Sequence, residues 1–217
     1  MPAQSVSREQ FAAENSLDPL RTWVGLLPGS RPREIRDHLP TILRAAQMLS
    51  HNLEFLIPLA PTLNAAQRNR VWQMVEKHGE GLSISLVDDA RAALFHSRVS
   101  VVASGTATVE AALIGNPFVV IYHVSPVTYA IAKRMVKVDH VAMVNLIAGK
   151  RVVPELIQSD FKADNIVDEV ERLLPDGTPR QSMMKELARI RILLAKPSHV
   201  GAIDRVAEIT LENIQLS

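Results

Sequence analysis

Cysteine is absent from this chain of 217 residues, which excludes disulfide bonds, thiolate metal sites and cysteine nucleophiles. Aromatic residues make up only 4% of the chain and leave little material for stacking on nucleic-acid bases. The formal net charge is +1, so the overall charge does not favour nucleic acid either. Any recognition of phosphate must therefore come from a local group of residues.

Long apolar runs are also missing. Residues 1–10 are polar and do not resemble a signal peptide, and no later run approaches the roughly 20 apolar residues of a membrane-spanning helix. We therefore expect a protein that is soluble or peripheral to a membrane. The seven histidines show no metal-binding spacing such as H-E-x-x-H, so we expect no metal site and no cofactor, and we assign no histidine a catalytic role.

Apolar runs alternate with helical patterns in the first part of the chain. The runs predict buried strands at residues 23–27, 53–59, 82–87, 99–103 and 117–122. The patterns between them predict helices at residues 33–49, 63–78, 89–96 and 107–114. This alternation favours an α/β fold of Rossmann-like, three-layer type, with a parallel sheet of about five or six strands.

The last third of the chain has a different pattern. It predicts helices at residues 126–138, 154–159, 162–174, 180–194 and 199–215. The first of these helices is basic and amphipathic, with Lys133, Arg134 and Lys137 beside an apolar stripe, so it is suited to an anionic membrane surface. The alternative is that the stripe packs on the protein's own core.

A turn of small residues follows the strand predicted at 99–103. Gly105 lets the backbone approach a ligand, and the first N–H groups of the next helix have no partner within it, which favours phosphate binding. With Thr106 as the N-cap, Glu110 is free to accept hydrogen bonds from two vicinal ribose hydroxyls. The alternative is that Thr106 only caps the helix and Glu110 faces water.

A second turn, Gly29-Ser30-Arg31, follows the first predicted strand. It combines a flexible backbone, a hydroxyl and a guanidinium that can bind phosphate oxygens. The alternative is an ordinary turn in which Arg31 pairs with Glu34. In a parallel sheet, ligands bind beyond the carboxyl ends of the strands, so we expect both turns at the same edge.

Four motifs together resemble lipid-A-disaccharide synthase. They lie, in the order and spacing of the second half of that family, at residues 26–31, 103–110, 122–149 and 152–158. One departure is Met143-Val144-Asn145, where the family motif usually has Leu-Pro-Asn. The resemblance extends from about Ser7 to the C-terminus.

The resemblance implies a glycosyltransferase of the two-domain GT-B architecture. Members of the family join UDP-2,3-diacylglucosamine to 2,3-diacylglucosamine 1-phosphate in lipid A biosynthesis, and they work on the cytoplasmic side of the inner membrane as peripheral proteins. Because the C-terminal domain of this architecture binds the donor, the resemblance implies that this chain supplies the UDP-sugar site. The acceptor site and the general base are expected in an N-terminal half that this chain lacks, so we expect the chain alone to be inactive.

The resemblance also suggests roles for individual residues. Glu110 would bind the ribose, and Arg31 would neutralise the charge that grows on the departing UDP. The diphosphate would lie near the backbone and hydroxyl groups of Gly29, Ser30, Ser104, Gly105 and Thr106. Three later polar residues would line the donor pocket, namely Asn145, Glu155 and Gln158.

We expect three segments along the chain. Residues 1–21 form a lead-in, residues 22–177 the nucleotide-sugar-binding domain, and residues 178–217 a helical tail that packs back toward the missing half. Such a tail would expose apolar side chains, for example Val206, Ile209 or Ile214.

Two other functions stay open, namely a different UDP-sugar transferase or epimerase of the same fold, and a UDP-sugar-binding fragment or dimerising module without catalysis.

Overall fold

The computed structural model describes residues 6–49, 52–123 and 140–195. Its elements are, in order, α1 (Arg8–Asn15), β1 (Thr22–Leu27), α2 (Pro32–Met48), β2 (Leu53–Pro58), α3 (Ala65–His78), β3 (Ile84–Val87), α4 (Ala90–His96), β4 (Val99–Ala103), α5 (Thr106–Ile114), β5 (Phe118–Tyr122), α6 (Met143–Ala148), β6 (Glu155–Ile157), a 3-10 turn (Gln158–Asp160), α7 (Ala163–Leu173) and α8 (Thr178–Ala195). The alternation of strand and helix predicted as far as Tyr122 is confirmed. The helices predicted at 126–138 and 199–215 lie outside the described residues.

The described strands form one parallel sheet of six strands in the order β3-β2-β1-β4-β5-β6. At its centre, Val24 of β1 lies between Phe55 of β2 and Val99 of β4. Every residue of β2 and β4 is buried, including Glu54 and Ser100, and most are apolar, as expected of strands covered on both faces. The expected Rossmann-like, three-layer α/β fold is confirmed.

The strand order reverses direction between β1 and β4. From β1 the chain moves outward to β2 and β3, and from β4 it moves the opposite way to β5 and β6. Since crossovers between parallel strands are right-handed, helices α2 and α5 cover opposite faces of the sheet. Helices α3 and α7 pack beside α2, whereas α4, α6 and α8 pack beside α5. Ligands bind in α/β sheets at such a reversal.

Helix α2 begins at Pro32 and continues through Pro40. A proline inside a helix costs about 3 kcal/mol because it removes one hydrogen bond and crowds the preceding turn. The helix buries Ile35, Leu39 and Ile42 against the sheet. Because each such side chain contributes roughly 1.5–3 kcal/mol, burial of this face outweighs the cost of Pro40.

The prediction of a helix over residues 154–159 is wrong. Strand β6 occupies this position at the edge of the sheet, where Leu156 lies opposite Ile121. The backbone N–H of Val120 also donates to the carbonyl of Pro154 at 2.9 Å. A helix of one or two turns is marginal by itself, so the unpaired edge of β5 decides the conformation.

The segment before β1 packs closely on the domain. Phe11 and Trp23 are buried, with ring centroids 6.0 Å apart, and the guanidinium of Arg8 lies 3.6 Å from the centroid of Trp23. His96 stacks on Phe11, with ring centroids 5.6 Å apart, and burial lowers the pKa of this histidine below its usual value. The lead-in expected over residues 1–21 therefore contains a packed helix, while a domain boundary after residue 21 stays a prediction.

Helix α8 packs on the domain through Met183, Leu187, Ile190 and Leu194, all of which are buried. At its start, Arg180 donates to the carbonyls of Arg98 and Leu173 at 2.6 and 3.1 Å, and burial lowers the pKa of this guanidinium. This part of the expected 178–217 tail is thus attached to the sheet domain. Val206, Ile209 and Ile214 lie outside the described residues.

Candidate functional site

A cleft of about 380 Å³ opens at the carboxyl ends of β1, β2 and β4. Its walls include both turns that the sequence singled out, and the residues from these turns are Gly29, Ser30, Arg31, Ser104, Gly105 and Thr106. Pro58, Ala60, Ala90 and Met143 complete parts of the wall. The structure therefore brings six of the predicted site residues together at the reversal of strand order.

The turn after β1 is organised by Glu34. One carboxylate oxygen, Oε2, accepts from the backbone N–H groups of Ser30 and Arg31 at 3.2 and 3.3 Å. The other, Oε1, lies 3.1 Å from Nη1 of Arg31, so the Arg31–Glu34 ion pair that the sequence offered as an alternative is present. The Arg31 side chain is 81% exposed. Its guanidinium is therefore free to turn toward a ligand in the cleft.

Glycine is required at position 29 for two reasons. Its φ of +123° is one that other residues rarely adopt. A Cβ at this position would also lie 2.5 Å from Oε2 of Glu34. The close contact between the turn and Glu34 thus depends on Gly29.

The turn after β4 presents unpaired backbone donors. The N-cap of α5 is Gly105, with φ +150°, rather than Thr106 as expected, because this conformation is almost confined to glycine. Thr106 is the first helical residue, and neither its N–H nor that of Ala107 has an acceptor within residues 6–49, 52–123 and 140–195. No atom lies within 4 Å of a Cβ built on Gly105, so the space beside the turn is open.

Glu110 lies one turn further along α5. Its carboxylate forms an ion pair with Arg91 instead of facing only water. Its Oε1 lies 3.5 Å from Nε of Arg91 on α4, and the two side chains are 37% and 42% exposed. This arginine, which sequence reasoning missed, follows Ala90 of the cleft wall. Neither Glu110 nor Arg91 lines the cleft wall itself, so contact of Glu110 with a ligand stays a prediction.

Asn145 and Glu155 support the structure around α6. The Asn145 side chain is fully buried: Nδ2 donates to the Val153 carbonyl and to Glu155, and Oδ1 accepts from the N–H groups of Val152 and Val153. Glu155 also accepts from two N–H groups that precede α6, those of Val141 and Ala142, both at 3.0 Å. These contacts hold Met143 at the cleft, while contact of Asn145 or Glu155 with a ligand stays a prediction. The same holds for Gln158, which follows β6 in the 3-10 turn.

His38 was also missed by the sequence reasoning. Its ring is buried under the first turn, with Nδ1 2.7 Å from the Pro28 carbonyl and Nε2 3.2 Å from the backbone nitrogen of His123. A signal was available, because position 38 falls on the same helical face as Ile35 and Ile42. A histidine on the buried face of a helix needs hydrogen-bond partners inside the core, and the end of a neighbouring strand can supply them.

A larger groove, of about 710 Å³, lies over the outer side of α2, between α3 and α7. Exposed cations, Arg44, Lys77 and Lys162, stand on its walls, but no strand end opens into it. The smaller cleft carries the unpaired backbone donors and is therefore the candidate site.

In the described part of the chain, no group of three or more His, Asp or Glu side chains is arranged to bind a metal ion, and none of the helices could cross a membrane.

The model of the lipid-A-disaccharide synthetase family matches residues 2–202. This chain belongs to the lipid-A-disaccharide synthase family. The synthase of Acidobacterium capsulatum is 53% identical, over 99% of this chain and 56% of its own length. That of Koribacter versatilis is 42% identical, over 96% of this chain and 54% of its own length. The chain thus spans about half the length of the curated relatives it matches.

Solved structures with low sequence identity to this chain share its fold. The catalytic domain of cholesterol-α-glucosyltransferase from Helicobacter pylori matches 79% of this chain and 98% of its own, with a TM-score of 0.52 and 12% identity. UDP-GlcNAc 2-epimerase from Neisseria meningitidis, bound to UDP-GlcNAc, matches 97% of this chain and 48% of its own, with a TM-score of 0.51 and 16% identity. The fold is therefore that of GT-B glycosyltransferases and related sugar-nucleotide enzymes.

Proposed function

We propose that this chain supplies the UDP-sugar donor site of a lipid-A-disaccharide synthase, which joins UDP-2,3-diacylglucosamine to 2,3-diacylglucosamine 1-phosphate and releases UDP. One observation carries the proposal: in a member of this family, two glycine turns from adjacent strands meet in a cleft of about 380 Å³. Both turns lead into helix N-termini, and the N–H groups there favour an anion such as a diphosphate.

The diphosphate binds between the two turns. The N–H groups of Thr106 and Ala107 point from one side, and the dipoles of α2 and α5 direct their positive ends at the same cleft. Each helix end stabilises an anion by roughly 0.3–1 kcal/mol when exposed and up to about 2 kcal/mol when partly buried. These groups are fixed before the ligand arrives, so they also stabilise the charge on the leaving UDP.

Arg31 changes partner when the donor binds. An exposed ion pair such as Arg31–Glu34 contributes only about 0–1 kcal/mol. A diphosphate carries more negative charge than the Glu34 carboxylate and can accept two parallel bonds from a guanidinium, so it competes well for this side chain. Arg31 then neutralises charge on the departing UDP, while Glu34 continues to hold the turn through its backbone bonds.

Glu110 binds the ribose hydroxyls, and Arg91 holds the carboxylate in place. An ionised carboxylate accepts hydrogen bonds only, which suits two vicinal hydroxyl donors. Asn145 and Glu155 act by fixing α6 at the mouth of the cleft, and Gln158 lines the outer part of the donor pocket.

The acceptor site and the general base lie in the part of the family's length that this chain does not span. The complete enzyme works at the cytoplasmic face of the inner membrane as a peripheral protein, with Lys133, Arg134 and Lys137 near anionic lipid.

A likeness of fold to a UDP-GlcNAc 2-epimerase supports the alternative of a different UDP-sugar reaction at the same cleft.

Calorimetric titration of UDP into the purified chain tests the donor site. We expect binding to the parent chain and roughly tenfold weaker binding to each of Arg31→Ala and Glu110→Ala, since each variant loses one or two charged hydrogen bonds. Arg33→Ala is the matched control, because Arg33 is an exposed neighbour that pairs with Asp37 outside the cleft. A folded parent chain that does not bind UDP would contradict the proposal.

Competition between donors distinguishes the two functions. UDP-2,3-diacylglucosamine should displace UDP more effectively than UDP-GlcNAc does if the chain serves lipid A synthesis. Equal competition, or a preference for the unacylated sugar, favours the other UDP-sugar reaction.

A further inference from the structure

We propose that His38 is a positioning residue for the diphosphate: it fixes the Pro28–Gly29 peptide so that the Gly29 N–H faces the cleft and donates to a phosphate oxygen. This inference rests on the proposed function and adds a residue to its site. His38 does not touch the ligand, and it acts through the backbone of the turn.

The partners of His38 determine its protonation. The Pro28 carbonyl can only accept, so Nδ1 of His38 carries a proton. The backbone N–H of His123 can only donate, so Nε2 of His38 carries a lone pair. The ring is thus a neutral imidazole in one tautomer that connects the ends of β1 and β5.

The direction of the Gly29 N–H follows from the Pro28 carbonyl. In a trans peptide, the C=O and N–H groups point in opposite directions. The carbonyl points at the buried ring of His38, so the N–H of the same peptide points away from the core. Gly29 lines the cleft, and its N–H has no acceptor in the described part of the chain.

The other donors of this turn are already in use. The N–H groups of Ser30 and Arg31 both donate to Glu34. Gly29 therefore supplies the backbone donor that this turn has left for a ligand. Its orientation decides whether the first turn contributes a backbone hydrogen bond to the diphosphate.

Packing keeps the His38 ring in one orientation. Phe161 lies edge-on to it, with ring centroids 5.4 Å apart and planes at 81°. Phe161 also contacts the ring of His123, at 6.1 Å between centroids. With hydrogen bonds at both nitrogens and an aromatic edge beside it, the ring cannot rotate away without breaking several contacts.

Titration of UDP and of uridine into three variants tests this role. We expect His38→Leu, which loses both hydrogen bonds, to bind UDP roughly tenfold or more weakly while its uridine affinity stays the same. His38→Asn keeps a side-chain N–H near the position of Nδ1, so it should recover most of the UDP affinity. His78→Leu is the control, because it makes the same change at the end of α3, outside the wall of the cleft.

Amide NMR of the parent chain gives a second readout that does not depend on the stability of a variant. Addition of UDP should shift the Gly29 amide resonance strongly, and addition of uridine should not. Equal UDP affinity in His38→Leu and the parent, or a Gly29 amide that does not respond to UDP, overturns the proposal. A folded parent chain that does not bind UDP at all instead overturns the proposed function, and this inference with it.

Discussion

At the scale of single residues, the first turn depends on a glycine and a carboxylate that fit together. Glu34 accepts from two consecutive backbone N–H groups only because Gly29 has no Cβ where its carboxylate lies. Arg31 was singled out from the sequence for its charge, yet Glu34 is the residue that shapes the turn. A carboxylate three residues into a helix was visible in the sequence, but its contact with Gly29 was not, since it depends on a positive φ.

Gly29→Ala should therefore damage both the fold and the cleft. We expect a loss of about 1–3 kcal/mol in the free energy of unfolding from the strained φ, with UDP affinity reduced as Glu34 is displaced. Gly81→Ala is the matched control: its φ is +79°, but no atom lies within 4 Å of the added Cβ. Denaturant unfolding and UDP titration of both variants measure this, and unchanged UDP affinity in Gly29→Ala would contradict it.

At the scale of helices and strands, local patterns predicted the elements with strong periodicity and failed on short ones. The five predicted strands and the helices between them were correct because a sheet covered on both faces needs mostly apolar strands, although β3 at the sheet edge is only partly buried. Strand β6 was mistaken for a helix and α6 was missed, because a three-residue strand and a six-residue helix carry too little periodicity. Both depend on tertiary contacts, above all those of Asn145.

Asn145→Ala should loosen α6 and β6 together. It removes four hydrogen bonds and leaves the N–H groups of Val152 and Val153 unpaired, so we expect a loss of about 2–4 kcal/mol in unfolding free energy. Asn165→Ala is the control, since its side chain makes one exposed bond to the carbonyl of Asp160 and should cost about 0.5 kcal/mol or less. Similar losses in both variants, measured by urea unfolding, would refute the supporting role of Asn145.

At the scale of the whole molecule, the sequence predicted that two turns would share one edge of the sheet, and the cleft contains both. That prediction succeeded because it needed only the rule for parallel strands and not the side-chain geometry. The partners of Glu110, Asn145 and His38 could not be predicted in the same way. Each of these partners lies outside the helix that carries the residue. No local sequence pattern predicts the order of strands that brings the two parts of the chain together.

The purified chain alone should transfer no sugar. It spans about half the length of its curated relatives, and we place the acceptor site and base in the remainder. Activity with both lipid substrates should appear only when the missing part of the Acidobacterium capsulatum relative is added in trans, and Glu110→Ala should abolish or strongly reduce that recovered activity. Turnover by the chain alone would disprove this division of labour.

The central pairing of β1 with β4 also has a kinetic consequence. Two strands and three helices separate Val24 from Val99 along the chain. Closing so long a loop is slow, so the outer strands can pair before the two turns face each other. During refolding, the helical circular dichroism signal should therefore return before the chain can bind nucleotide. Nucleotide binding then measures the last long-range step of folding.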